Sequence, residues 1–269
     1  MVLMSTSGVL GRYITMSPPV TIWWRCLLGG ALLLLYCRIS GTKLKIHHKR
    51  DVFTLILGGL LLSGHWISYF YALHLSNVAI GMLSLFTYPV ITAFLEPWLL
   101  KTKFQPVHLL LGVFVLLGVY FLAPEFNIND NYTQGIFLGI LSSFMYALRN
   151  IILKKQVSSY HGTTLMFYQL LFAVIILCPS LLIFENNIQD YWQATLTLAV
   201  ITTAIGHTLF VLSFKHFSIS AASIISSSQP IYGIILGVIF LGEYPEWNTL
   251  IGGGLIVSAV IFESIRNLK

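Results

Sequence analysis

Charge is what this sequence has least of. Only 9% of its 269 residues are Asp, Glu, Lys or Arg, against the roughly 25% a water-soluble domain carries. A chain so short of charge cannot cover itself for water, which excludes a soluble enzyme or a soluble binding domain. Cysteine is scarce too. Cys26, Cys37 and Cys178 lie in apolar stretches, show neither a disulfide framework nor a zinc spacing, and read as small buried apolar residues. No Gly-x-x-x-x-Gly-Lys loop occurs, so ATP is not the direct driver of any process here. Long polar segments are missing as well, and with them any separate soluble domain. What is abundant is apolar surface: 57% of residues are hydrophobic and the mean hydropathy is +0.83.

A helix that crosses a bilayer needs about 20 apolar residues. Nine full spans satisfy this: 18–37, 52–73, 78–100, 105–123, 134–153, 163–184, 192–212, 219–241 and 248–265. The first fifteen residues are too short to cross alone and lack the charged start and cleavage site of a signal peptide. They read as the outer half of a tenth helix whose beginning is missing. Thirteen of the fifteen basic residues fall in loops on one side: Arg38 to Arg50, Lys101 and Lys103, Arg149 to Lys155, Lys215, and Arg266 with Lys269. The alternate loops hold Glu125, Asp130, Glu185, Asp190, Glu243 and Glu246 and no Lys or Arg. By the positive-inside rule the basic side, with the C-terminus, is cytoplasmic. The net charge of +6 is thus a topology signal, and no nucleic-acid partner is implied.

The chain also repeats itself. Ser63-Gly64-His65 through His74-Leu75-Ser76 aligns with Ile205-Gly206-His207 through His216-Phe217-Ser218 at a constant offset of 142. Tyr88-Pro89 then matches Gln229-Pro230, and Gly112 matches Gly253, one residue out of step. Each unit holds five spans, an odd number, so the copies point in opposite directions. Inverted repeats recur in secondary transporters, where substrate binds at the interface of the halves near mid-membrane.

The pattern Tyr71-Ala-Leu-His-Leu-Ser-Asn-Val-Ala79 with Leu85-Phe-Thr-Tyr-Pro89, and in the second copy Ser220-Ala-Ala-Ser223, Gln229-Pro230 and Leu241-Gly-Glu243, resembles the EamA-like family of the drug/metabolite transporter superfamily. The resemblance covers essentially the whole chain. It implies an all-α integral membrane protein, a ten-span bundle of two inverted five-helix repeats. Residues 1–123 form the first repeat, with a truncated first helix, and residues 134–265 form the second. It further implies an exporter or exchanger of small metabolites, often amino acids. The Leu-Gly-Glu of copy two falls on Lys101-Thr102 in copy one, so Glu243 has no symmetry mate.

Ionisable groups inside a bilayer need a reason. Arg25 and Glu96 are the two charged residues read as lying within spans. Arg25 is either an anchor for an anionic group of the substrate or a snorkelling, structurally bonded residue. Glu96, beside Pro97, is either a gating or proton-coupling carboxylate or an interfacial group held by Lys101 or Lys103. His65 and His207 are repeat-related and read as cavity residues or interhelical hydrogen bonders, with Trp66 and Tyr69 flanking His65. A polar stripe of Gly139, Ser142, Ser143, Tyr146 and Asn150 occupies one helical face turned from lipid. Tyr88, Tyr146, Asn150, Tyr168, Gln169 and Gln229 complete the candidate cavity. Pro89 and Pro230 read as hinges. No second ligand stands at helical spacing from either histidine, so no metal is expected, nor any other cofactor.

The leading function is a secondary transporter of small organic solutes in the cell membrane, not an enzyme. The rivals are an intramembrane enzyme on a lipid-linked substrate, for which the acid clusters and nucleophile motifs are missing, and a structural subunit. The partners implied are a small-molecule substrate, the lipid bilayer and, for a homodimer, a second copy of the chain.

Overall fold

Backbone groups in hydrocarbon have no water to bond to, so a chain this apolar satisfies them within helices. The computed structural model describes residues 1–101, 103–122, 127–217, 222, 226 and 228–266, and every regular element among them is helical. Helix α1 spans Val2–Tyr13, α2 Pro18–Ser40, α3 Lys49–Leu75, α4 Val78–Leu85, α5 Tyr88–Leu100 and α6 Val107–Leu122. Then come α7 (Asn131–Gln156), α8 (Gly162–Leu177) and α9 (Ser180–Ile183). α10 (Ile188–Thr197) runs through a π-helical segment, Leu198–His207, into α11 (Thr208–Ser213), and α12 (Gln229–Leu241) and α13 (Trp247–Arg266) complete the order.

The helix ends follow local rules. Pro18 opens α2, where its missing N–H costs nothing, and Gly41 closes it at φ 67°. Asn77 caps α4 by accepting from Ile80 N, and Asp130 caps α7 by accepting from Thr133 N. Among the described residues six stretches are long and apolar enough to cross a membrane: Pro18–Ser40, Lys49–Leu75, Val78–Leu100, Asn131–Gln156, Gly162–Ile183 and Ile188–Ser213; α6 and α12 are shorter apolar helices. Val78–Leu100 breaks between α4 and α5, and Pro89 lies in the first turn of α5. Pro230 has the same place in α12. Most of the span 219–241 before Gln229 lies outside the described residues.

Packing joins the early and late parts of the chain. α3 lies along α7, α2 along α8 and α6 along α13, while α1 packs on the π segment and on α12. One large core cluster runs through α1, α2, α3, α7, α8 and the π segment. Leu116, Leu117, Ile239 and Phe240 are exposed, as residues facing lipid would be. Cys26 and Cys37 are buried, but Cys178 is exposed, a correction to its reading as a buried residue. It stands at the break between α8 and α9, where Pro179 interrupts the packed face.

α6 and α13 touch backbone to backbone. A Cβ on Gly252 would lie 2.6 Å from Gly118 O, and one on Gly118 would lie 2.8 Å from Gly252 O. Backbone cannot move aside as a side chain can, so Gly252→Val is expected to destabilise by about 1–3 kcal/mol through overpacking. Gly254, two residues on, has open space, and Gly254→Val is expected to stay within about 0.5 kcal/mol. Thermal unfolding of the detergent-solubilised variants checks the contrast.

Candidate functional site

The site forms where α3 and α7 meet at the middle of the bundle. The Ser142 hydroxyl donates to the His65 carbonyl at 2.8 Å, so its oxygen is left to accept from the ring Nδ1 at 2.7 Å. That network places the imidazole proton on Nδ1 and leaves Nε2 as an acceptor. Tyr146, one turn beyond Ser142, stacks on the His65 ring at 4.4 Å and meets Tyr88 edge-on at 4.9 Å. His207, at the end of the π segment, approaches Trp66 edge-on at 5.1 Å. The Tyr88 hydroxyl is hydrogen-bonded to Ser226.

These rings line a cavity. Of the expected residues, His65, Trp66, Tyr69, Tyr88, Tyr146, His207 and Gln229 line it, together with Met4, Ser7 and Met82. Its free volume is about 30 Å³, room for a few water molecules at most. Methionines are the most adaptable apolar fillers, so Met4 and Met82 are the side chains best able to yield space.

Two arginines lie behind this lining, each with 0% exposure. The Arg25 guanidinium sits 3.8 Å over the Trp66 ring, a cation–π contact. Its Nε donates to Thr203 Oγ1 at 2.6 Å and its Nη2 to Thr202 Oγ1 at 2.9 Å, while Nη1 has no partner. The Thr203 hydroxyl in turn donates to Leu198 O, five residues back, and the segment coils as a π-helix there. Such segments are often found at functional sites.

Arg149 is the second, and it corrects the sequence reading, which put it in a basic loop. α7 continues to Gln156, so Arg149 is about two turns inside the helix, on the buried Tyr146–Asn150 stripe. Its Nε donates to Gln169 Oε1 at 2.8 Å and its Nη1 to Asn150 Oδ1 at 3.1 Å. Gln169 and Asn150 thus serve Arg149, outside the cavity lining. The stripe's period of three and four was the signal available in the sequence, since it reaches Arg149 three residues after Tyr146. Thr202 and Thr203 also escaped the sequence reading, because threonine in an apolar run carries no distinguishing mark.

The remaining candidates lie apart from the cavity. Tyr168 donates to Leu44 O at 2.7 Å. Glu96 is half-buried on α5. Pro89 and Pro230 begin helices at the edge of the site.

Side-chain contacts tie the helices together at both ends of the bundle. At one, Arg12 pairs with Glu243 at 2.8 Å and also donates to the Leu73 and His74 carbonyls, while Glu243 accepts from Val78 N. At the other, Asp51 at the start of α3 accepts from Tyr160 at 2.5 Å and from Gln156 at 3.3 Å. Thr164 and Tyr168 donate to the Lys43 and Leu44 carbonyls of the adjoining loop.

A model of the EamA-like transporter family matches residues 1–123 and 133–265. Among similar proteins are the transporter YxxF of Bacillus subtilis, 24% identical over 99% of this chain and 87% of its own, and a transporter of Archaeoglobus fulgidus, 27% identical over 72% and 70%. The pseudopaline exporter CntI of Pseudomonas aeruginosa is 23% identical over 89% of this chain and 84% of its own. A solved crystal structure superposes with a TM-score of 0.72 at 19% identity, covering 99% of this chain and 95% of that one, a likeness of fold.

The Arg25 contacts make a test of what holds the site. Thr203→Val would leave a buried guanidinium N–H unpaired and is expected to cost about 1.5–3 kcal/mol. The Thr208 hydroxyl is buried without a partner, so Thr208→Val is expected to be neutral or stabilising. Chemical denaturation of both variants in the same detergent reads the difference.

Proposed function

Because the chain belongs to the EamA-like transporter family, we propose that it carries small organic solutes across the membrane by alternating access, as an exporter or exchanger. The observation that carries this reading is the central cavity, built from residues of both matched segments, with contacts between those segments at both ends of the bundle. The cavity marks where a solute would sit, with Met4 and Met82 yielding the space for it. The name of CntI, an exporter, favours the outward direction.

The inverted ten-span repeat has further support. Arg12 on α1 reaches the carbonyls that end α3. At the same offset of 142, Lys154 on α7 reaches the Phe214 and Phe217 carbonyls beyond α11. Helix pairings follow the same relation, with α1 on the π segment answering α7 on α3, and α1 on α12 answering α7 on α5. On this reading residues 1–123 and 134–265 are the two repeats. By the positive-inside rule the end that carries Arg50, Lys154 and Lys155 is taken as the cytoplasmic one, with the C-terminus inside, and the membrane is proposed to be the cell membrane.

Alternating access predicts that loosening the two ends has opposite effects. In a variant with Cys26, Cys37 and Cys178 replaced by serine, Ser7→Cys places a reporter thiol in the cavity lining. Losing a half-buried charged pair costs about 1.5–3 kcal/mol, so Glu243→Gln is expected to raise labelling by an impermeant thiol reagent from the Glu243 side by about tenfold or more. Asp51→Asn is expected to raise labelling from the opposite side. If both variants open the same side, or neither changes the rate, alternating access is wrong.

A further inference from the structure

We propose that the cavity selects solutes by negative charge, taking a small carboxylate with a flat or aromatic body that its two buried arginines hold in electrostatic balance. The proposal deepens the transport reading and rests on it for the site's purpose, though not for the site's chemistry.

The first ground is an imbalance of charge. Arg25 and Arg149 are wholly buried, and a guanidinium does not escape burial by giving up its proton. Buried charges are ordinarily paired with the opposite charge. Here the partners are two threonine hydroxyls and an indole face for Arg25, and two amide oxygens and the Met166 sulfur for Arg149. All are neutral. The Arg12–Glu243 ion pair lies at the end of the bundle. Two full positive charges therefore stand at mid-bundle with dipoles around them and no described carboxylate within ion-pair reach.

The second ground is placement. α1 ends against the end of α3, where His74 Nε2 bonds the Gly11 and Ile14 carbonyls, so α2 starts at that end of the bundle. Arg25 lies seven residues, roughly 10 Å, along it. α7 finishes against the start of α3, through Gln156 and Asp51, and Arg149 lies seven residues, again roughly 10 Å, short of that finish. The two guanidiniums thus approach the cavity from opposite ends. Each abuts its lining, Arg25 through Trp66 and Arg149 one turn beyond Tyr146.

The third ground is a surplus of donors. Arg25 Nη1 is buried without a partner, and every other polar contact of the two guanidinium groups is a donation. An unsatisfied buried donor calls for an explanation, and a carboxylate is the ligand that supplies only acceptors. The rings of Trp66, Tyr69, Tyr88 and Tyr146 offer faces and edges suited to a flat body. The free volume of about 30 Å³ is smaller than such a solute, so binding requires Met4 and Met82 to move aside.

The test uses pairs of probes that differ in charge and little in shape: phenylacetate with phenylacetamide, and indole-3-acetate with indole-3-acetamide. Calorimetric titration of the purified full chain in nanodiscs is expected to show the carboxylate of a pair binding about tenfold or more tighter than its amide. Arg25→Gln and Arg149→Gln are each expected to abolish that preference, and Arg149→Lys to restore part of it. Amides that bind as tightly as their carboxylates, or a wild-type chain that binds none of the four, would overturn the proposal. The wild-type ratio decides even where an arginine variant fails to fold. Flux of the same probes in proteoliposomes separates the two readings. Carboxylate binding without flux removes transport and leaves the anion site, whereas equal flux of acid and amide removes the anion site and leaves transport.

Discussion

Two guanidinium groups held at mid-bundle by neutral partners are the constraint around which the rest of the structure is arranged. Placing an arginine at the centre of a membrane helix costs about 3 kcal/mol even by insertion-based scales. That is a large part of the 5–15 kcal/mol by which whole domains are stable. For Arg25 the offsets can be named: two charge-assisted hydrogen bonds at about 1.5–3 kcal/mol each and a desolvated cation–π contact near 2 kcal/mol. These cover the desolvation, but dipoles do not cancel a charge. The positive potential remains, and the cavity lies within it.

The local geometry follows from that requirement. The Thr202 and Thr203 hydroxyls must face α2 to accept from Arg25, and both also reach back to Leu198 O. Side chains that bond to the preceding turn compete with the regular helical ladder, and the helix widens to a π coil between Leu198 and His207. The π segment delivers His207 against Trp66, whose ring face also carries Arg25. One cation thus links α2, α3 and the π segment, while Arg149 ties α7 to α8 through Gln169. The aromatic lining is positioned by these contacts as much as by its own packing.

Much of this was legible in the sequence, for definable reasons. Apolar length fixes spans because lipid admits no unsatisfied backbone, and span ends such as Pro18, Val78, Leu100 and Leu241 coincide with helix ends. The histidines and aromatics around His65 were found by their repeat and spacing. Arg149 was hidden because it was grouped with the two lysines five positions on as a loop cluster, although the span 134–153 already reached past it, and α7 running to Gln156 sets it well inside the helix. The π segment was hidden because a threonine pair in an apolar run fits an ordinary helix equally well. The sequence pattern shows which face is polar; which polar groups touch depends on how helices far apart in the chain are set against one another.

The two ends of the bundle differ in chemistry, although on the proposed reading the chain repeats. Glu243 ties one end by an ion pair and by a bond to the first amide of α4, reaching from the second matched segment into the first. The corresponding place in the first copy is Lys101-Thr102, with no carboxylate to offer, and at the opposite end Asp51 takes neutral donors from Tyr160 and Gln156. A charged pair in a half-buried setting is stronger than bonds to neutral donors, and it is also more easily loosened by salt or a competing ion. On the proposed alternating-access mechanism the backbone exchange is nearly symmetric while the energies of opening are not. A bound anion would act on this difference directly, since it adds negative charge to a bundle whose buried charges are positive. It would stabilise the closed state around itself and leave both ends to be opened by the groups that tie them.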